Sequence, residues 1–182
     1  MLTYVLSGWE GNAADGPILR DAISRPTGLK VPIGKYYLCD NGYANREGFL
    51  TPYRGVRYYL KEWDRGGGGP QNAQELFNLR HAAARNIIER SSGLLKIRWG
   101  ILRSPSYYSL DVQNHIVVAC CLLHNYVRME MPDDLLEREV PEYPNNPNAM
   151  NTNFVSSIET STARTAWREE LASNIFDEWL RH

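Results

Sequence analysis

Two carboxylates stand where their surroundings could put them to chemical use. Asp40 follows the short aromatic and apolar run Lys35-Tyr36-Tyr37-Leu38-Cys39 and opens the turn sequence Asp40-Asn41-Gly42. Such a run reads as a buried strand stopped by a turn, which leaves Asp40 at the strand's C-terminal end. Glu89 lies in a segment of helical period from Gln71 to Leu95. At 100° per residue, Leu76, Phe77, Ala83, Ala84, Ile87, Ile88, Leu94 and Leu95 fall opposite Glu89, whereas Gln71, Asn78, Arg85 and Lys96 fall within about 40° of it. A carboxylate at a strand end and another on the polar face of a covering helix can meet at one sheet edge. Hard divalent cations take such oxygen ligands, and two-metal phosphodiester cleavage depends on them. The same residues permit plainer roles. Asp40-Asn41-Gly42 is also an ordinary turn in which Asp bonds its own backbone, and Glu89 is spaced for a surface ion pair with Arg85.

Several elements must position these groups. Leu2 to Ser7 alternates apolar and polar residues, the period of a strand with one buried face. Asp15-Gly16-Pro17 leads into Ile18, Leu19, Ala22 and Ile23 at helical spacing, with Asp15 suited to an N-cap and Pro17 tolerated in the first turn. Residues 43–69 have no clean period and end in Gly66-Gly67-Gly68-Gly69, which reads as an irregular crossing with a hinge. A second helix is expected from about Leu110 to Arg128, central to the core because Ile116 to Leu123 is apolar nearly all round. Residues 131–162 read as a flexible linker rich in Pro, Asn, Ser and Thr. Residues 163–182 read as an amphipathic helix marked by Trp167, Leu171, Ile175 and Trp179. The order is that of an α/β protein, with residues 1–130 as one domain.

Composition narrows the function classes. The chain of 182 residues is 43% hydrophobic and 23% charged, the balance of an ordinary globular protein. A net charge of -1 gives no overall attraction to nucleic acid. Any DNA contact must come from a local patch, and Arg80, His81, Arg85, Arg90, Lys96, Arg98 and Arg103 against the single acid Glu89 supply one candidate. A solvated helix face is the plainer reading of that run. Cys39, Cys120 and Cys121 show no disulfide or CxxC spacing, so a reducing compartment is expected. Cys120 and His124, with His115 nearby, could formally ligate a metal, although no second ligand pair is spaced to complete a tetrahedron. No signal peptide or membrane-spanning run is evident.

Six ordered stretches carry a family resemblance: Tyr4-Val5-Leu6-Ser7-Gly8-Trp9-Glu10-Gly11, Tyr36-Tyr37-Leu38-Cys39-Asp40-Asn41-Gly42-Tyr43, Phe77-Asn78-Leu79-Arg80-His81, Arg85-Asn86-Ile87-Ile88-Glu89-Arg90, Gly93-Leu94-Leu95-Lys96-Ile97-Arg98-Trp99 and Leu122-Leu123-His124-Asn125-Tyr126. In order and spacing they resemble plant PIF/Harbinger transposase-derived nucleases over about residues 4–128. The resemblance implies an RNase H-like DDE nuclease fold, N-terminally truncated here and followed by C-terminal helices. It implies Mg2+- or Mn2+-dependent DNA cleavage by an acidic triad. Asp40 matches the second acid and Glu89 the third. The first belongs to an Asp-Gly strand expected upstream of Tyr4. Asp15 matches a separate acidic position, in the altered context Ala14-Asp15-Gly16-Pro17, and Ser92 stands where the family usually has Phe.

The expected function is therefore a transposase-derived, divalent-metal-dependent DNA endonuclease fold, catalytically incomplete in this chain. The alternative is a non-catalytic domesticated module that binds DNA or a protein partner, by analogy a Myb-like DNA-binding protein. A decayed product without a role is a third reading. The nucleus is the expected location, with the cytoplasm second.

Overall fold

The computed structural model describes residues 1–58, 63, 68–131 and 161–182. Its elements run α1 (Asp15–Ser24), β1 (Tyr37–Leu38), β2 (Phe49–Leu50), α2 (Ala73–Arg98), a 3-10 turn (Gly100–Leu102), α3 (Leu110–Glu130) and α4 (Thr162–Leu180). They divide into two compact units. One takes Ala14–Asn86 together with α4; the other takes Met1–Ala13, the part of α2 from Ile87 onward, and α3.

In the first unit, α1 buries Leu19 and Ala22. Its N-cap residue is Ala14, which makes no side-chain cap. Asp15 thus stands one position further in than expected, and its carboxylate serves elsewhere. β1 and β2 pair in parallel, Tyr37 with Phe49 and Leu38 with Leu50. The Tyr37 and Cys39 N–H groups donate to Gly48 and Leu50 oxygens, each at 2.9 Å. β2 falls in the stretch expected to be irregular, because two residues are too few to show a period. β1, expected to be buried, leaves Tyr37 42% exposed while Phe49 and Leu50 of β2 are 2% and 3% exposed.

Thr51-Pro52-Tyr53 continues β2 through the core outside any named strand. Buried carbonyls need partners, and helix side chains supply them here. Arg168 of α4 donates to the Thr51 and Pro52 oxygens at 3.1 and 3.2 Å. Asn78 of α2, fully buried, accepts the Tyr53 N–H at 2.8 Å and donates to the Tyr53 oxygen at 3.0 Å. Leu50, Tyr53, Phe77 and Ala172 form the core cluster, with Trp167, Leu171 and Ile175 of α4 packed against it. The Tyr53 and Phe77 rings meet edge to face, 5.3 Å between centroids. The expected C-terminal helix is therefore real, and three of its four marker residues face the core; Trp179 stays 40% exposed.

In the second unit the expected strand at Leu2–Ser7 does not form. Alternation supplies a face, but a strand also needs a neighbouring backbone. The Asn125 side chain takes that place at one residue, accepting the Leu2 N–H at 2.8 Å and donating to its carbonyl at 2.6 Å. α3 buries Cys120, Cys121 and His124. It is not the central core helix expected from its sequence. Val118, Leu122, Tyr126 and Met129, at helical spacing, form an exposed apolar stripe. The buried residues of α2 lie between Leu76 and Ala82, so the apolar face anticipated for its later turns is not core; Ile88 is 48% exposed.

Among the described residues the expected α/β sheet is thus one two-stranded pair within a mainly helical chain. Residues 132–160 of the expected linker, and Gly66 and Gly67 of the expected hinge, lie outside the described residues. No helix among the described residues is long and apolar enough to cross a membrane.

Candidate functional site

Asp40 emerges one residue beyond the Cys39–Leu50 hydrogen bond that closes the β pair. Its Oδ1 accepts the Gly42 N–H at 2.9 Å, the Asx turn that its sequence allowed. Arg54 braces the same turn from outside, donating to the Asn41 and Tyr43 oxygens at 3.0 and 3.3 Å. Asp40 is therefore held by its backbone on both sides.

Asp15 comes to the same place from the first turn of α1. Its carboxylate lies against Gly42: a Cβ at that position would collide with Asp15 Oδ2 and stand 3.1 Å from Asp40 Oδ1. A side chain here would displace the Asp15 carboxylate from this position. Burial, and then the Asp40 charge, push the Asp15 carboxyl above its ordinary range. Tyr43 is pushed up by burial first, then by Asp15, Cys39 and Asp40. The Cys39 thiol, pushed up to about 12 mainly by burial, stays protonated and is no thiolate ligand at neutral pH. No ion pair holds Asp15 or Asp40 among the described residues. Two adjacent, unneutralised carboxylates fit the oxygen chemistry of a hard divalent cation.

Glu89 is exposed on α2 and belongs to the other compact unit. Among the described residues no three or more His, Cys, Asp or Glu side chains form a group able to hold a metal ion. The structure therefore joins Asp40 to Asp15. Sequence reasoning assigned Asp15 to a helix cap because the local N-cap pattern was visible and a contact with residue 42 was not. The formal Cys120/His124 site belongs to the interior: both residues are buried, and Arg98 lies 3.3 Å from His124 Nδ1. His115 is exposed, its Nδ1 2.6 Å from the Asp111 oxygen.

The basic run is smaller than its sequence suggests. His81 is 4% exposed, and burial lowers its pKa. Arg85 donates to the Tyr58 hydroxyl at 2.9 Å, and Arg98 contacts His124. Arg80, Lys96 and Arg103 remain exposed, with Arg90 half-buried.

Comparison with known proteins defines the class. The sequence model of the DDE superfamily endonucleases matches residues 1–125, and the chain belongs to that family. Membership implies an RNase H-like fold. The chain is 27% identical over 145 residues to a Mus musculus protein named "Putative nuclease HARBI1", covering 77% of this chain and 37% of that protein. The proteins of that name from Rattus norvegicus and Homo sapiens are 26% and 25% identical over 128 residues, each match covering 68% of this chain and 33% of the relative. The chain thus spans about a third of the length of these relatives, and the expected likeness to Harbinger-derived nucleases holds. No solved structure matches it.

Proposed function

We propose that this chain is part of a transposase-derived, divalent-metal-dependent DNA endonuclease fold in which Asp40 and Glu89 are metal ligands for Mg2+ or Mn2+, and that the chain alone does not cleave DNA. The observation that carries the reading is the convergence of Asp15 and Asp40 on Gly42 at the end of β1, two carboxylates without an ion-pair partner among the described residues. A bound divalent ion supplies charge stabilisation to a phosphoryl oxygen and a more acidic water. Asp40 offers Oδ2 to such an ion, since Oδ1 is engaged by Gly42. Asp15 adds negative potential beside it. Arg80, Lys96 and Arg103 are the cations left for phosphate contacts. The incompleteness rests on the resemblance, which calls for three acids and matches two of them, Asp40 and Glu89, in this chain.

The test compares wild type with Asp40→Ala, Glu89→Ala and Asp15→Ala in DNA cleavage over a range of Mg2+ and Mn2+ concentrations. We expect all four at background. Cleavage by wild type that Asp40→Ala and Glu89→Ala abolish would retain the metal assignment and refute the incompleteness; loss in Asp15→Ala as well would make Asp15 a third ligand.

The second reading, a non-catalytic module, is favoured by the exposed stripe of Val118, Leu122, Tyr126 and Met129 on α3. Apolar patches of this kind mark protein interfaces. In this reading the partner is a DNA-binding protein of the Myb-like class, and the complex is nuclear.

A further inference from the structure

The stretch Phe77-Asn78-Leu79-Arg80-His81 has no part in the proposed metal chemistry, yet two of its side chains are among the most buried polar groups of the first unit. Asn78 is 0% and His81 4% exposed. The surroundings of His81 fix its hydrogen-bonding directions. Nε2 lies 3.1 Å from the Leu50 oxygen, which can only accept, so Nε2 carries the proton. Nδ1 is then an acceptor, 3.4 Å from the Tyr58 hydroxyl. That hydroxyl accepts from Arg85 Nε at 2.9 Å, which leaves its own proton for Nδ1. The chain runs from Arg85 through Tyr58 and His81 to Leu50, each link a donor facing an acceptor.

The Leu50 oxygen is where this chain meets the candidate site. It also receives the Cys39 N–H at 2.9 Å, one residue before Asp40. A two-stranded pair is marginal without support, and this one is only two residues long on each strand. We propose that His81 is a positioning residue: by holding the Leu50 carbonyl from α2 it fixes the end of β1, and so the place from which Asp40 reaches toward a divalent cation. The cation part rests on the function proposed above; the positioning part rests on the Leu50 oxygen alone.

Two substitutions separate the ring nitrogens. His81→Gln places an amide N–H near Nε2 and can keep the Leu50 bond. His81→Asn reaches only the Nδ1 position and loses it. The first readout is hydrogen exchange of the Cys39 amide in the full chain; the second is Mn2+ binding, followed by the electron paramagnetic resonance signal of the free ion. We expect His81→Gln to match wild type. In His81→Asn the Cys39 amide should exchange roughly tenfold faster, the factor that one net hydrogen bond represents, and Mn2+ should bind more weakly.

Equal Cys39 exchange in the two variants would overturn the proposal. Tyr58→Phe guards against a His81→Asn chain that does not fold. It removes the Nδ1 partner and spares Leu50, so Cys39 should remain protected; fast exchange there would overturn the proposal as well. Asp40→Asn separates the two levels. If it binds Mn2+ as wild type does, Asp40 is no ligand and the metal reading falls, while Cys39 exchange still decides whether His81 positions the strand end.

Discussion

Gly42 shows how one missing methyl group sets the electrostatics of the site. Its bare Cα admits the Asp15 carboxylate beside Asp40, and the cost falls on Asp15, whose ionised form is disfavoured by burial and by Asp40. The sign follows from the raised pKa. The folded state holds the proton more tightly than the unfolded state, so the penalty is absent below the unfolded value of about 4 and complete above the folded value. Asp15→Asn should therefore raise the melting temperature at pH 7, and the gain should vanish as the pH falls through that window. Thermal melts from pH 7 to pH 3 check this. Mn2+ should raise the melting temperature of wild type more than that of Asp15→Asn. Asp40 was legible in the sequence because an apolar run stops at a turn signal, a purely local pattern. The contact of Asp15 with Gly42 spans 27 positions and leaves no local trace.

At the scale of the element, α2 and α4 complete what a short sheet leaves open. His81 sits in α2 with its pKa lowered, by burial first, against a weaker opposing effect of its Leu50 hydrogen bond, with the Arg85 and Arg168 charges lowering it further. The stability this neutral imidazole provides is fully present above the unfolded value of about 6.5 and is lost as the pH falls toward and through the folded value. Urea unfolding between pH 7.5 and pH 5 should show that loss in wild type, and His81→Gln should flatten this part of the profile.

Arg168 of α4 bonds two consecutive carbonyls and lies 4.1 Å above the Tyr53 ring centroid. Arg168→Met should cost about 1–3 kcal/mol, since two buried acceptors lose their donor and a cation–π contact disappears. Arg168→Lys should recover only part of it, because a single ammonium nitrogen can still reach the two carbonyls while the flat guanidinium contact with the Tyr53 ring is lost. Denaturant midpoints measure both.

Helices with long periods were legible, including α4 from Trp167, Leu171 and Ile175. Two-residue β2 was not, and the second half of α2 and all of α3 were assigned too much core. Periodicity identifies an apolar face without naming what covers it.

For the whole molecule, the exposed stripe on α3 and the unladdered Leu2–Ser7 segment both belong to the second unit. A chain that presents Leu122 at 64% and Tyr126 at 60% exposure should associate with rising concentration. Light scattering should show this for wild type, and Leu122→Glu should lower it without changing the unfolding free energy by more than about 0.5 kcal/mol, the range for surface substitutions. A wild-type chain that stays monomeric at high concentration would refute the expectation.

The first unit also sets a schedule for its own synthesis. Ala172, 1% exposed, seals a cluster whose other members, Phe77, Tyr53 and Leu50, leave the ribosome about 95 to 122 residues earlier. At translation rates of 5–20 residues per second, those aromatic and aliphatic side chains wait about 5–25 s for the helix that covers them. The core around the Asp40 strand therefore closes only once α4 has appeared. A nascent chain stalled before residue 161 should accordingly remain protease-sensitive at Tyr53 and Phe77 and be held by chaperones that bind exposed apolar segments.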